Sequence, residues 1–145
     1  MVDEARAILA EQVRIASRAI GLRLTLAREY AAGGRDKQAI RILEEANNVT
    51  VYNRPTHEAL IPLYRAAGER KKAIRSARCL VALKAEQDSD EEVGLRWVLL
   101  AEVLLEDGRK DDAKAAVAEA EKLFAADVPE STLPRLKALK EKTGQ

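Results

Sequence analysis

Side chains that can attack, transfer protons or ligate metal are scarce in this sequence. Histidine occurs once, at His57, and cysteine once, at Cys79. A histidine-activated nucleophile would have to be built from that pair, but the two fall in different expected helices, and no G-x-S-x-G elbow offers a serine instead. Metal chemistry is equally poorly supplied, since neither C-x-x-C nor H-E-x-x-H occurs. The run Asp88-Ser89-Asp90-Glu91-Glu92-Val93-Gly94 has a superficial likeness to a calcium loop, yet Val93 stands at the turn glycine and Leu99 at the closing carboxylate. It reads as a solvated linker. Gly33-Gly34 follows an expected helix rather than a strand, so it is a helix stop and not a phosphate cradle. No catalytic residue, metal ligand or cofactor-binding residue is expected, and a single cysteine, read as a small buried apolar residue, precludes an internal disulfide.

Charge could still serve recognition. Arg70, Lys71, Lys72, Arg75 and Arg78 form a basic cluster that would suit a helical nucleic-acid binder. Against that stands the balance of 25 Lys and Arg with 24 Asp and Glu, which removes any overall pull towards a polyanion. Aromatic residues for base stacking are few, and Tyr30, Tyr64 and Trp97 are needed for packing. The charges are segregated locally: seven basic residues between Leu60 and Lys84 face only Glu69, and ten acidic ones follow between Ala85 and Asp112. Such blocks read as solvated outer helix faces in preference to a docking stripe. No apolar run reaches the roughly 18 residues of a membrane span, and Met1-Val2-Asp3-Glu4 lacks the start of a secretory signal. With Met1 as the native start, the expected location is cytoplasmic.

The elements that would position these residues are helices throughout. Ile8, Leu9, Val13, Ala16 and Ile20 recur at helical spacing, giving a leading helix over about 3–19 and a further helix from Ile20 to Ala32, with Gly21 as a junction or a weak point in one rod. A helix from Asp36 or Lys37 to Asn47 follows, then an extended connector over Val49-Thr50-Val51-Tyr52. Helices are expected over 55–67, where Pro62 predicts a kink or a late start, and over 70–84, 91–106 and 110–126. A last helix over about 131–142 carries Leu133, Leu136 and Leu139.

These helices repeat. Tyr30, Gly34, Ala39 and Ile40 return as Tyr64, Gly68, Ala73 and Ile74, each displaced by 34 residues, and Leu104, Gly108 and Ala113 form a looser copy. A period of that length builds helix-turn-helix units that stack into an α-solenoid. Repeats are expected over 20–53, 54–90 and 91–128, within a single domain capped by the terminal helix.

The chain resembles the tetratricopeptide repeat family. Leu26, Ala27, Tyr30, Gly34, Ala39, Leu43 and Ala46 carry the match in the first unit, Leu60, Tyr64, Gly68, Ala73, Ala77 and Leu80 in the second, and Trp97, Leu100, Ala101, Leu104, Gly108, Ala113 and Ala120 in the third. The resemblance implies a non-catalytic module that binds a peptide or partner protein in the groove of its first helices. Carried onto this chain, that groove presents Leu24, Thr25, Arg28 and Ala31, then Glu58, Ala59, Pro62 and Arg65, then Val98, Leu99, Glu102 and Leu105. Arg28 and Arg65 would pair with peptide carboxylates, unless Arg65 is already held by Glu102 or Glu58. The residues of a chaperone-tail carboxylate clamp are missing, because Leu24, Arg28, Ala59, Leu95 and Leu99 occupy those places. Trp97 to Leu105 is apolar on nearly every side, which calls for cover by the terminal helix and the flanking repeat, or else makes a docking patch of Val98, Leu99 and Leu105. Two other readings remain: an accessory segment of a larger bacterial enzyme or secretion component, and the nucleic-acid binder above.

Overall fold

A computed structural model describes residues 2–144; the side chains at positions 2, 3, 6, 9, 13 and 17 are not described, so Leu9 and Val13 of the expected apolar pattern lie outside the described residues, as does Met1. The described residues form seven helices and no strand: α1 (Val2–Ala32), α2 (Asp36–Val49), α3 (Arg54–Ala66), α4 (Arg70–Ala82), α5 (Asp90–Glu106), α6 (Lys110–Phe124) and α7 (Leu133–Thr143). They are distributed over two compact units, Met1–Leu63 and Tyr64–Gln145.

The spacing that repeats in the sequence is a helix-ending motif. After α1 the Arg35 N–H reaches the Tyr30 carbonyl at 2.8 Å and the Gly34 N–H reaches that of Ala31 at 3.0 Å. Glu69 to Tyr64 and Gly68 to Arg65 do the same after α3, and Arg109 to Leu104 and Gly108 to Leu105 after α5. Each is a Schellman closure, which satisfies two otherwise orphaned carbonyls. It needs a residue in the left-handed region, and Gly34, Gly68 and Gly108 sit at φ of 73°, 73° and 75°. Five residues beyond each glycine comes an alanine, Ala39, Ala73 or Ala113, exposed by no more than 2%. The missing side-chain bulk at these positions lets the returning helix approach closely.

In the first unit α1 packs along α2. The core is Ile20, Ala27, Ala39, Leu43, Ala46, Leu60 and Ile61. The leading helix expected over 3–19 is not separate: α1 runs unbroken through Gly21, which lies on an exposed face with nothing near it to force a break. The connector after α2 is also shorter than expected. Val49 completes the helix, Thr50 alone is extended, and Val51-Tyr52 turn. Asn53 then caps α3, its Oδ1 accepting from the Thr56 N–H at 3.0 Å and from the Thr56 hydroxyl at 2.9 Å. His57 is 2% exposed, and its Nε2 lies 2.8 Å from the Val51 carbonyl, so it ties the connector to the helix. Pro62 neither delays nor breaks α3. It sits on the exposed side, where water can serve the Glu58 carbonyl that it leaves without a donor.

In the second unit α5 is central, packed on α4, α6 and α7. That contact resolves its all-round apolar character in favour of cover: Val98, Ala101 and Val103 are at most 1% exposed. The segment expected to be a solvated linker is pinned instead. Ser89 and Glu92 form a complete capping box at the start of α5. Asp88 accepts from the Ala85 N–H at 2.7 Å and from Arg96 at 3.0 Å, with the Arg96 and Asp88 side chains 11% and 6% exposed.

Gly94 marks a close crossing of α5 and α6. A Cβ placed there would lie 2.5 to 2.9 Å from three ring atoms of Phe124, which is itself 4% exposed. Gly94→Ala therefore destabilises the chain despite alanine's better helix propensity, by about 1–2 kcal/mol from overpacking less the propensity gain. In urea denaturation, Phe124→Leu should remove most of that added cost.

Candidate functional site

Each unit carries a groove. In the first, Leu24, Ala27, Arg28 and Ala31 of α1 face Pro55, Glu58, Ala59, Pro62 and Leu63 of α3, with Leu43 of α2 contributing to the lining, around a volume of about 380 Å³. The four-residue steps Leu24–Arg28 and Ala27–Ala31, and Pro55–Ala59 and Ala59–Leu63, put these side chains on one face of each helix. Its lining is apolar, with one cation and one anion, Arg28 and Glu58. Both are exposed, and Arg28 makes no ion pair among the described residues.

A groove of the second unit encloses about 550 Å³ and is lined by Arg65, Glu102, Leu105, Glu106, Pro134, Arg135, Ala138, Leu139 and Lys142. Its charges are largely paired with one another. Arg65 Nε donates to both carboxylate oxygens of Glu106, at 2.9 and 3.2 Å, while its Nη2 makes a further bond to Glu106 and lies 3.9 Å from Glu102. Glu102 in turn accepts from Arg135 Nε at 2.9 Å and from Arg135 Nη2. Hydrogen bonding to Glu106 raises the Arg65 pKa above its ordinary value, against an opposing effect of partial burial.

Of the groove residues expected from the sequence, Leu24, Arg28, Glu58 and Pro62 share the first groove, and Arg65, Glu102 and Leu105 the second. Val98 is fully buried and turns into the core, so it has no surface to offer a ligand. Leu99 is half-buried and lines neither groove. Thr25 is exposed, and its hydroxyl donates to the Gly21 carbonyl one turn earlier, at 3.1 Å. The partner of Arg65 is chiefly Glu106, which sequence reasoning does not single out. It also misses the α7 wall with Arg135. The spacing Arg135–Leu139–Lys142, which puts both cations on the flank of an apolar stripe, is the available signal for that wall.

The basic cluster on α4 is exposed at Arg70, Lys71, Lys72, Arg75 and Arg78. Lys72 Nζ lies 5.7 Å from the centre of the Tyr64 ring. Cys79 is half-buried beside Arg75 and Arg78 rather than in the core. Among the described residues no cluster of three or more His, Cys, Asp or Glu could hold a metal, and no helix is long and apolar enough to cross a membrane.

No family model and no curated protein matches the sequence. Solved structures do. The Yersinia enterocolitica type III secretion chaperone SycD, in complex with a peptide of the translocator YopD, is similar at 19% identity and a TM-score of 0.68, over 86% of this chain and 91% of that one. A structure of the Yersinia enterocolitica translocator chaperone SycD gives 19% identity and 0.68 over 91% and 95%. A thermophilic TPR protein of Thermus thermophilus is similar at 25% identity and 0.56, over 99% of this chain and 71% of that one. The fold is an all-α, tetratricopeptide-like helical repeat.

The two arginines therefore differ in kind. Arg65→Glu would face Glu102 and Glu106 with a third anion, and should cost about 1 kcal/mol of stability, less in high salt because the pairs are partly exposed. Arg28→Glu should leave the thermal midpoint unchanged. Thermal denaturation at low and high salt distinguishes them.

Proposed function

We propose that this chain is a non-catalytic protein-interaction module that holds a peptide segment in the groove of its first unit. The observation that carries the reading is the pairing, in one concavity, of an apolar floor with uncommitted charge. Leu24, Ala27, Ala59 and Leu63 offer the floor, and Arg28 stands at its edge without an ion-pair partner among the described residues. Such a groove takes an apolar side chain, and the guanidinium selects a neighbouring carboxylate through bidentate hydrogen bonds. Support comes also from SycD, which shares the fold and whose structure contains a translocator peptide. In the second groove the internal pairs of Arg65, Glu102 and Arg135 must be broken before a charged ligand gains anything, so its role is secondary.

The reading is tested by selecting displayed peptides on the full chain and measuring their affinity for variants. Peptides with an apolar residue next to an acidic one should be enriched. Ala59→Trp, which fills the groove from an already half-buried position, should weaken them about tenfold or more, equivalent to about 1.4 kcal/mol. Arg28→Glu should weaken acidic peptides selectively. Equal affinity for the parent chain and both variants would remove the groove from consideration.

A further inference from the structure

Helix α1 is far longer than the helix it packs on. Its 31 residues extend about 46 Å against about 21 Å for the 14 residues of α2. Along it runs an apolar stripe turned out to solvent, with Ile8 exposed by 58%, Ile15 by 50% and Leu22 by 65%. These three recur every seven residues. Ala5, Gln12 and Ala19 recur with the same period, each three residues ahead of one of them, so the combined series 5, 8, 12, 15, 19, 22 advances by alternate steps of three and four. Three-four alternation is the spacing of a coiled-coil seam.

We infer that this stripe is the seam of an antiparallel helix pair made by α1 of two copies of this chain. The pattern is its own complement. With residue i of one copy opposite residue 27 minus i of the other, Ala5 meets Leu22, Ile8 meets Ala19 and Gln12 meets Ile15, and the twofold axis repeats each pairing in reverse. Every layer then sets one Ile or Leu against Ala or Gln, so no two of the branched side chains oppose each other. A parallel pair would set each seam residue against itself, placing Ala–Ala and Gln–Gln layers between Ile–Ile and Leu–Leu ones, and lose that match. Charge agrees with the same register. Glu11 and Arg18 flank the seam at equivalent places, and 11 and 18 come together across the antiparallel pair, giving two Glu11–Arg18 contacts related by the dyad. Arg18 is exposed and makes no ion pair among the described residues, whereas Glu11 is held there by the exposed Arg14, at 2.6 Å. Gln12, the single polar seam residue, lies beside the dyad, where it disfavours slipped registers.

Sedimentation velocity of the full chain over a range of concentrations tests this. The expected species is a reversible dimer of twice the 16.0 kDa chain mass. Ile15→Glu should be monomeric while retaining cooperative thermal unfolding. Glu11→Arg and Arg18→Glu should each weaken the dimer by about fivefold, and the two combined in one chain should restore it, because the pairs are re-formed with reversed polarity. In a Cys79→Ser background, Ile8→Cys mixed with Ala19→Cys should give a disulfide-linked heterodimer on mild oxidation. A monomer at every soluble concentration, a double reversal weaker than either single one, or Ile8→Cys linking to itself in preference would each overturn the proposal, and the first would assign the stripe to a different protein.

Discussion

Everything in this chain rests on how closely the second helix of a pair can return against the first. Helices α2 to α6 are 13 to 17 residues long, near or below the length at which an isolated helix holds in water. Their stability comes from burial against neighbours, and burial is set by small residues at each turn. A glycine at positive φ closes the first helix, and an alanine five residues on lets the second pass close by. Gly94 against the Phe124 ring carries the same demand into the body of α5 and α6.

That constraint also decides what the surface can do. Large side chains are consumed in filling the space beside each close crossing, leaving shallow grooves floored by alanine, leucine and proline. The first groove carries one cation and one anion, Arg28 and Glu58. The second is charged differently. Arg65 is neutralised by Glu106 and Glu102, and Glu102 is shared with Arg135, so most of the charge in this groove is engaged internally. Arg28 makes no such pair among the described residues.

Much of this is legible in the sequence because periodicity reports local backbone demands directly. The 34-residue recurrence from Tyr30 to Tyr64 is a recurrence of Schellman turns, and each such turn is specified by the short stretch between the aromatic residue and the one after the glycine. Helix existence and order follow from it, whereas the grouping of Arg28, Glu58 and Pro62 in one groove follows from the resemblance to tetratricopeptide repeats. What escapes is set at longer range or by competing local terms. Val98 has the composition of a groove residue, but α5 is covered on several sides, and which side faces a core depends on its neighbours. Glu106 draws no notice because a charged residue in a last helical turn is ordinarily solvated. The Asp88-to-Glu92 run misleads for the opposite reason: its acidic composition masks a capping box and a nearly buried Asp88–Arg96 pair. Gly21 is the breaker whose outcome propensity leaves open, and α1 absorbs it without interruption.

The most direct test of the central claim, that recognition happens in the groove made by α1 and α3 of the first unit, is a backbone amide chemical-shift map of the full chain titrated with a selected apolar-acidic peptide. Saturable shifts concentrated at Leu24, Arg28, Glu58, Ala59 and Leu63 are expected. Shifts confined to the basic outer face of α4 at Lys71, Arg75 and Arg78, with the groove residues unmoved, would contradict it.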